Sequence, residues 1–117
     1  MERLSGLDAG FIYSESSTVP LQVCSITELD TSTVPGGYTY EKFCDHLASR
    51  IPAIPEFRTK LADNDFNLDH PVWLEDKNFQ LSRHVNRIAL PEPGGREELA
   101  AVCGRIIAMP LERGKPL

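Results

Sequence analysis

The sequence predicts a mixed α/β domain, a layered α+β arrangement in which helices pack on a mixed sheet. Two stretches, residues 39–51 and 96–108, carry apolar side chains at helical spacing. Between and before them lie short runs rich in β-branched and aromatic residues, bounded by Pro and Gly. The resulting order is helix, strand, helix, two or three strands, helix, without internal repeats, and a sheet with helices laid on it is the simplest architecture for that order.

The first helix begins in "LSGLDAGFIY". Ser5 stands three residues before Asp8, a pattern that satisfies free amides in a first helical turn, and Leu7 and Phe11 share a face. Gly6 and Gly10 each weaken this helix by up to about 1 kcal/mol relative to alanine, so it should be short and held by tertiary contacts. "PLQVCSITELD" reads as a strand over residues 21–29, buried on both faces because its apolar residues do not alternate cleanly. "TSTVPGG" closes it as a loop.

Thr39 is the expected cap of a second helix, in which Tyr40, Phe43, Cys44, Leu47 and Ile51 fall along one side and which Pro52 stops. An extended segment follows over residues 57–61, then strands in "VWLE" and "FQLSRHVNRIAL", the latter slipping phase by Ile88. "PEPGG" breaks the chain. The last helix, residues 96–108, places Leu99, Val102, Cys103, Ile106 and Ile107 on one stripe and Glu97 and Glu98 at its positive end. That stripe should bury against a sheet, and on this reading Ile106→Asp is strongly destabilising.

Composition bounds function. The 117 residues, 41% hydrophobic and 25% charged, suit one domain spanning 1–117. A net charge of −5 with scattered basic residues gives no attraction for a phosphate backbone, so nucleic acid is not an expected partner. No apolar run approaches the roughly 18 residues of a membrane span, and the first residues do not form a secretory signal, so a cytoplasmic location is expected. Cys24, Cys44 and Cys103 are an odd set without metal-ligand spacing and are expected as buried, reduced thiols.

Motif searches return mostly negatives. In "DNDFNLDHPVWLE", Asp63, Asp65 and Asn67 match the first positions of a calcium loop, but Leu68 stands where glycine is needed and Leu74 where a bidentate glutamate is needed, so a polar turn is expected. His46, His70 and His84 have no partners at metal spacing, and no metal is expected. Ser82 and His84 lack an orienting carboxylate. The pairs Gly36–Gly37 and Gly94–Gly95 lack a phosphate-cradling context and read as turns.

Whole phrases carry more information. "LSGLDAGFIYSES", "PEFRTKL", "HPVWLEDKNFQLSRHVNRIALPEPGG" and "REELAAVCGRIIAMPLERGKPL" occur in an order and spacing that resembles the N-terminal part of the bacterial wax ester synthase/diacylglycerol acyltransferase family, close to the mycobacterial triacylglycerol synthases. The resemblance implies a partial N-terminal domain of a chloramphenicol-acetyltransferase-like fold. It also implies acyl transfer from acyl-CoA, as co-substrate, to diacylglycerol or a long-chain alcohol, with no other cofactor. In the family a His-His-x-x-x-Asp-Gly motif, expected after Leu117, supplies the general base. Here His46, His70 and His84 precede Leu47, Pro71 and Val85, and there is no Asp-Gly pair.

No catalytic residue is therefore assigned, the substrate-binding residues stay unassigned, and the chain alone is expected to be inactive. Its segment should be scaffold and part of the wall of an acyl or alcohol channel. Where the family has Pro-Met-His-Val-Gly, this chain has Pro20-Leu21-Gln22-Val23-Cys24, so no role of that histidine or glycine transfers. Expected partners are a C-terminal acyltransferase half or a second copy, with contact to a membrane surface or lipid droplet compatible with the family. A non-catalytic lipid- or protein-binding module derived from the fold is the alternative.

Overall fold

Three short strands form one antiparallel sheet in the computed structural model of the chain, which describes residues 2–62 and 69–116. β3 (Val72–Glu75) lies in the middle, between β1 (Glu2–Arg3) and β2 (Thr59–Ala62). Glu2 faces Trp73 across one side, and Leu61 faces Trp73 across the other. Thus the indole of the central strand has an aliphatic cross-strand neighbour, the kind of pair that stabilises a narrow sheet. Leu4 N donates to Pro71 O at 2.9 Å and extends the β1 edge by one step. Ion pairs line the sheet, with Arg58 to Glu75 at 3.3 Å, Lys60 to Asp76 at 3.9 Å and Arg3 to Asp69 at 2.8 Å. Only Asp76 among these six side chains is largely shielded from water, so the three pairs add little to stability.

α1 (Gly6–Ser14) starts where the sequence places it, with Ser5 Oγ accepting from Asp8 N at 3.1 Å. Ala9 is its one buried residue, and Leu7 and Phe11 are exposed at 77% and 55%. α2 (Tyr40–Arg50) is capped by Thr39, whose Oγ1 accepts from Lys42 N at 3.1 Å. The same lysine turns its Nζ back onto the preceding loop, donating to Gly37 O at 2.7 Å and Pro35 O at 3.2 Å. Gly36 and Gly37 hold φ of 71° and 80° there, a region open to glycine at no steric cost. Pro52 and Pro55 then turn the chain through two 3-10 turns, Ile51–Ala53 and Pro55–Arg58, before β2. Of the extended segment expected over residues 57–61, only the part from Thr59 onward is strand.

α3 (Arg96–Ile107) is capped by a side chain reaching back, with Glu98 Oε2 accepting from Gly95 N at 2.8 Å. Its stripe is only partly covered. Val102 is buried and Leu99 and Cys103 half-buried, while Ile106 and Ile107 remain 44% and 40% exposed. The expectation that this stripe buries against the sheet is corrected accordingly, because among the described residues α3 has no extensive contact with any strand and its C-terminal turn stays open.

Two predicted strands are absent. Residues 21–29 form neither helix nor strand and, apart from half-buried Gln22, are exposed, with Val23 fully so. Residues 79–90 form a 3-10 turn, Leu81–Arg83, followed by irregular chain. In both cases the local propensity is that of a strand, and among the described residues no neighbouring strand lies alongside to accept its hydrogen bonds. The expected buried thiols are also corrected: Cys24 is exposed and Cys44 and Cys103 are half-buried, all three free. The polar turn expected at residues 63–68 lies outside the described residues.

The mixed α/β class holds, but the core is slight. Leu4, Ala9 and Val102 are its buried hydrophobic residues, with Pro71 and Pro116 buried beside them. The radius of gyration is 17.3 Å, against about 13.4 Å for a compact domain of this length. The accessible surface is 9376 Å², about 3,000 Å² more than the roughly 6,300 Å² expected of a compact 13.0 kDa monomer.

Candidate functional site

The apolar stripe of α2 determines where a ligand could lie. Leu47 and Ile51, one turn apart, line one groove of about 610 Å³ with Ile106 near the end of α3 and with Phe79, Leu81 and Val85. Volume and lining are those of a site for a small, largely apolar molecule. Arg83, His84, Asn86, Glu112 and Lys115 are its polar lining residues. Lys115 Nζ meets Glu112 at 2.8 Å, and this hydrogen bond and charge hold the Glu112 carboxyl below its ordinary pKa.

Two tethers shape the groove. Tyr40 OH donates to Val85 O at 3.0 Å and so fastens the first turn of α2 to the segment carrying Leu81 and Val85. The Arg87 guanidinium lies 5.8 Å from the Tyr40 ring centre, and a hydrogen bond with the Cys44 thiol pushes the phenol above its ordinary pKa. The second tether is Gln22. Its Nε2 donates to Ile107 O at 3.0 Å and Met109 O at 2.9 Å, and its Oε1 accepts from Leu111 N at 3.2 Å. One amide thus satisfies two carbonyls and one N–H just where α3 ends and its own ladder runs out. Nearby, Glu15 accepts from Leu21 N at 3.1 Å and pairs with Arg113. Gln22→Ala is expected to lower stability by about 1 to 1.5 kcal/mol, less than three full hydrogen bonds because water reaches the half-buried site. Urea unfolding followed by circular dichroism reads this directly.

A second cleft of about 640 Å³ lies along the sheet, where Glu2, Glu56 and Glu75 surround Trp73 and Phe57. Three carboxylates repel phosphates, and Glu75 is already engaged by Arg58, so this cleft does not suit an anionic ligand.

The structure separates the histidines that the sequence singles out. His46 is exposed on α2. His70 Nδ1 lies 3.1 Å from Tyr13 OH, tying α1 to the start of β3. His84 stacks on Phe79 with ring centres 4.9 Å apart and planes inclined by 16°. Ser82 lies in the 3-10 turn Leu81–Arg83 and His84 caps it, and among the described residues no hydrogen bond joins them. Among the described residues, no three His, Cys, Asp or Glu side chains group as a metal site. Gln22 is the residue that sequence reasoning missed; its one signal was a departure from the family phrase, which says nothing about the helix end it reaches.

The wax ester synthase/diacylglycerol acyltransferase catalytic domain matches residues 4–117. The chain belongs to that family. A Mycobacterium tuberculosis protein provisionally named a diacylglycerol O-acyltransferase is 59% identical over 117 residues, covering 100% of this chain and 23% of the relative. A second from that organism, with the same provisional name, is 37% identical over 117 residues, covering 100% of this chain and 25% of the relative. A third, named a probable diacylglycerol O-acyltransferase, is 36% identical over 115 residues, covering 98% and 42%. The chain therefore spans about a quarter of the length of the first two relatives. No solved structure matches it. The family supports the acyltransferase and triacylglycerol-synthesis reading of the sequence phrases. Among the described residues, no helix is long and apolar enough to cross a membrane.

Proposed function

We propose that the chain is a non-catalytic section of an acyl-CoA-dependent O-acyltransferase, an incomplete N-terminal domain of chloramphenicol-acetyltransferase-like fold whose α2–α3 groove forms part of the wall for an acyl chain. The groove carries this reading: methyl and aromatic carbons from α2, α3 and residues 79–85 line a space of about 610 Å³, with Arg83, Glu112 and Lys115 as its charged lining residues. Burying an acyl chain there gains about 0.8 kcal/mol per methylene. The chemistry itself needs a base to take the alcohol proton as the new ester bond forms, worth typically 10²- to 10⁴-fold. It also needs donors for the oxyanion that develops on the thioester carbonyl.

No adjacent histidines and no Asp-Gly pair occur in the sequence, so the base comes from another section of the enzyme. The substrates are acyl-CoA and diacylglycerol or a long-chain alcohol, with no further cofactor. The location is cytoplasmic, at the surface of a membrane or lipid droplet where those substrates collect. The open side of the groove favours a second reading, a module that binds a lipid without transforming it.

Turnover and binding separate the outcomes. The isolated chain should esterify diacylglycerol with palmitoyl-CoA no faster than a no-protein control, yet bind a fluorescent sixteen-carbon fatty acid. Leu47→Asp should weaken that binding at least tenfold. Turnover above the control would place the base within these 117 residues, and binding indifferent to Leu47→Asp would remove the acyl wall from the groove.

A further inference from the structure

We infer that Gln22 sets the chain-length selectivity of the α2–α3 groove by holding one of its walls in place. The inference rests on the reading of that groove as a wall for an acyl chain, and names what tunes it. The wall concerned is formed by Ile106 and residues 109–112. α3 ends at Ile107, so residues 109–112 gain no support from a helical ladder. Pro110 has no N–H to offer. Among the described residues, Ile107 O, Met109 O and Leu111 N have no backbone partner, and the Gln22 amide bonds all three. One side chain thus holds both the carbonyl before Pro110 and the N–H after it.

Gln22 is not itself a lining residue, so it acts through this wall and not by touching a ligand. Its own position is fixed from two sides. Glu15, which follows α1, accepts from Leu21 N at 3.1 Å and pairs through its other oxygen with Arg113. The Glu15 side chain is only 12% exposed, which limits screening of that pair by water. A closed ring of contacts therefore runs from Glu15 through Leu21 and Gln22 to Leu111 and Arg113, and back to Glu15. It restrains residues 109–113 before any ligand arrives.

A restrained wall is what lets a groove count methylenes. Against it, each methylene that leaves water adds about fourfold to affinity, until the chain outgrows the space of about 610 Å³. A loose wall has to be ordered by the ligand, which consumes part of that gain and lets the groove close on chains of several lengths. Gln22→Met keeps the length of the side chain and removes all three hydrogen bonds. Gln22→Asn keeps the amide but is one methylene too short to span its three partners.

The test measures how affinity grows with chain length. Saturated fatty acids of ten to eighteen carbons, in steps of two, displace the fluorescent sixteen-carbon fatty acid from the chain and from its variants. The parent should gain about fourfold per methylene up to a break, and Gln22→Met less than about twofold, with no break. A Gln22→Met series that is weaker throughout but keeps the parent's slope and break would overturn the inference and leave the acyl wall intact. Parent binding that does not grow with chain length, or that ignores Leu47→Asp, would defeat the acyl wall and this inference with it. Amide exchange places the lesion: Leu111 should exchange at least about tenfold faster in Gln22→Met, and Val102 at the parent's rate. If Val102 also loses protection, α3 has melted and Gln22→Asn decides, a flattened slope supporting the inference and the parent's slope overturning it.

Discussion

Val102→Asp should cost at least about 3 kcal/mol, the largest effect expected of any single change in α3. Val102 is the one residue of that helix below a tenth exposed, at 8%. Replacing it removes an apolar side chain worth about 1.5 kcal/mol or more when buried, and desolvates a carboxylate. Ile106→Asp makes the contrast. Ile106 is 44% exposed, so an aspartate there keeps much of its hydration, and a loss of about 1 kcal/mol is expected. Thermal unfolding by circular dichroism should place Val102→Asp far below Ile106→Asp. Equal losses would mean that the α3 stripe is covered along its whole length, as the periodicity alone suggests.

Leu4→Ala should be the costliest change at the sheet. Leu4 is 5% exposed and directly follows β1, and its amide donates to Pro71 O beside the central strand. Truncation leaves a cavity at the junction of β1, α1 and β3, for which about 2 to 4 kcal/mol is the ordinary loss. β1 is only two residues long, so losing its anchor should also free it from β3. Amide exchange should rise at Arg3 and Leu4 more than at Leu61 on the opposite edge. A variant as stable as the parent, with β1 still protected, would show that the Glu2–Trp73 and Arg3–Val72 pairings hold the edge without Leu4.

Local signals were read from the sequence with most success where a few adjacent residues decide the outcome. Ser5 and Thr39 cap helices through their own side chains and Pro52 stands just past the end of α2, all within four residues. The strand at residues 72–75 matched its local propensity because β1 and β2 lie on either side of it. Residues 21–29 and 79–90 were misread because a strand needs a neighbour, and propensity does not say whether one is there. The groove was only half legible: the stripes of α2 and α3 are periodic, but where each helix is fastened depends on Tyr40 reaching Val85 and Gln22 reaching Ile107, contacts 45 and 85 residues apart. No pattern in a single sequence announces such a pair.

Gly36 and Lys42 constrain each other's inheritance. At position 36 the backbone φ of 71° disfavours any residue with a side chain, and a Cβ there would stand 3.2 Å from Lys42 Nζ. Asparagine could adopt the dihedral but would push the ammonium away from Pro35 O and Gly37 O, the carbonyls that it holds. A lineage that loses glycine at 36 therefore gains little from keeping lysine at 42, and one that loses the lysine no longer needs so tight a loop. The two positions should drift as a pair, leaving a covariation signal six residues apart that records the loop even where neither residue survives.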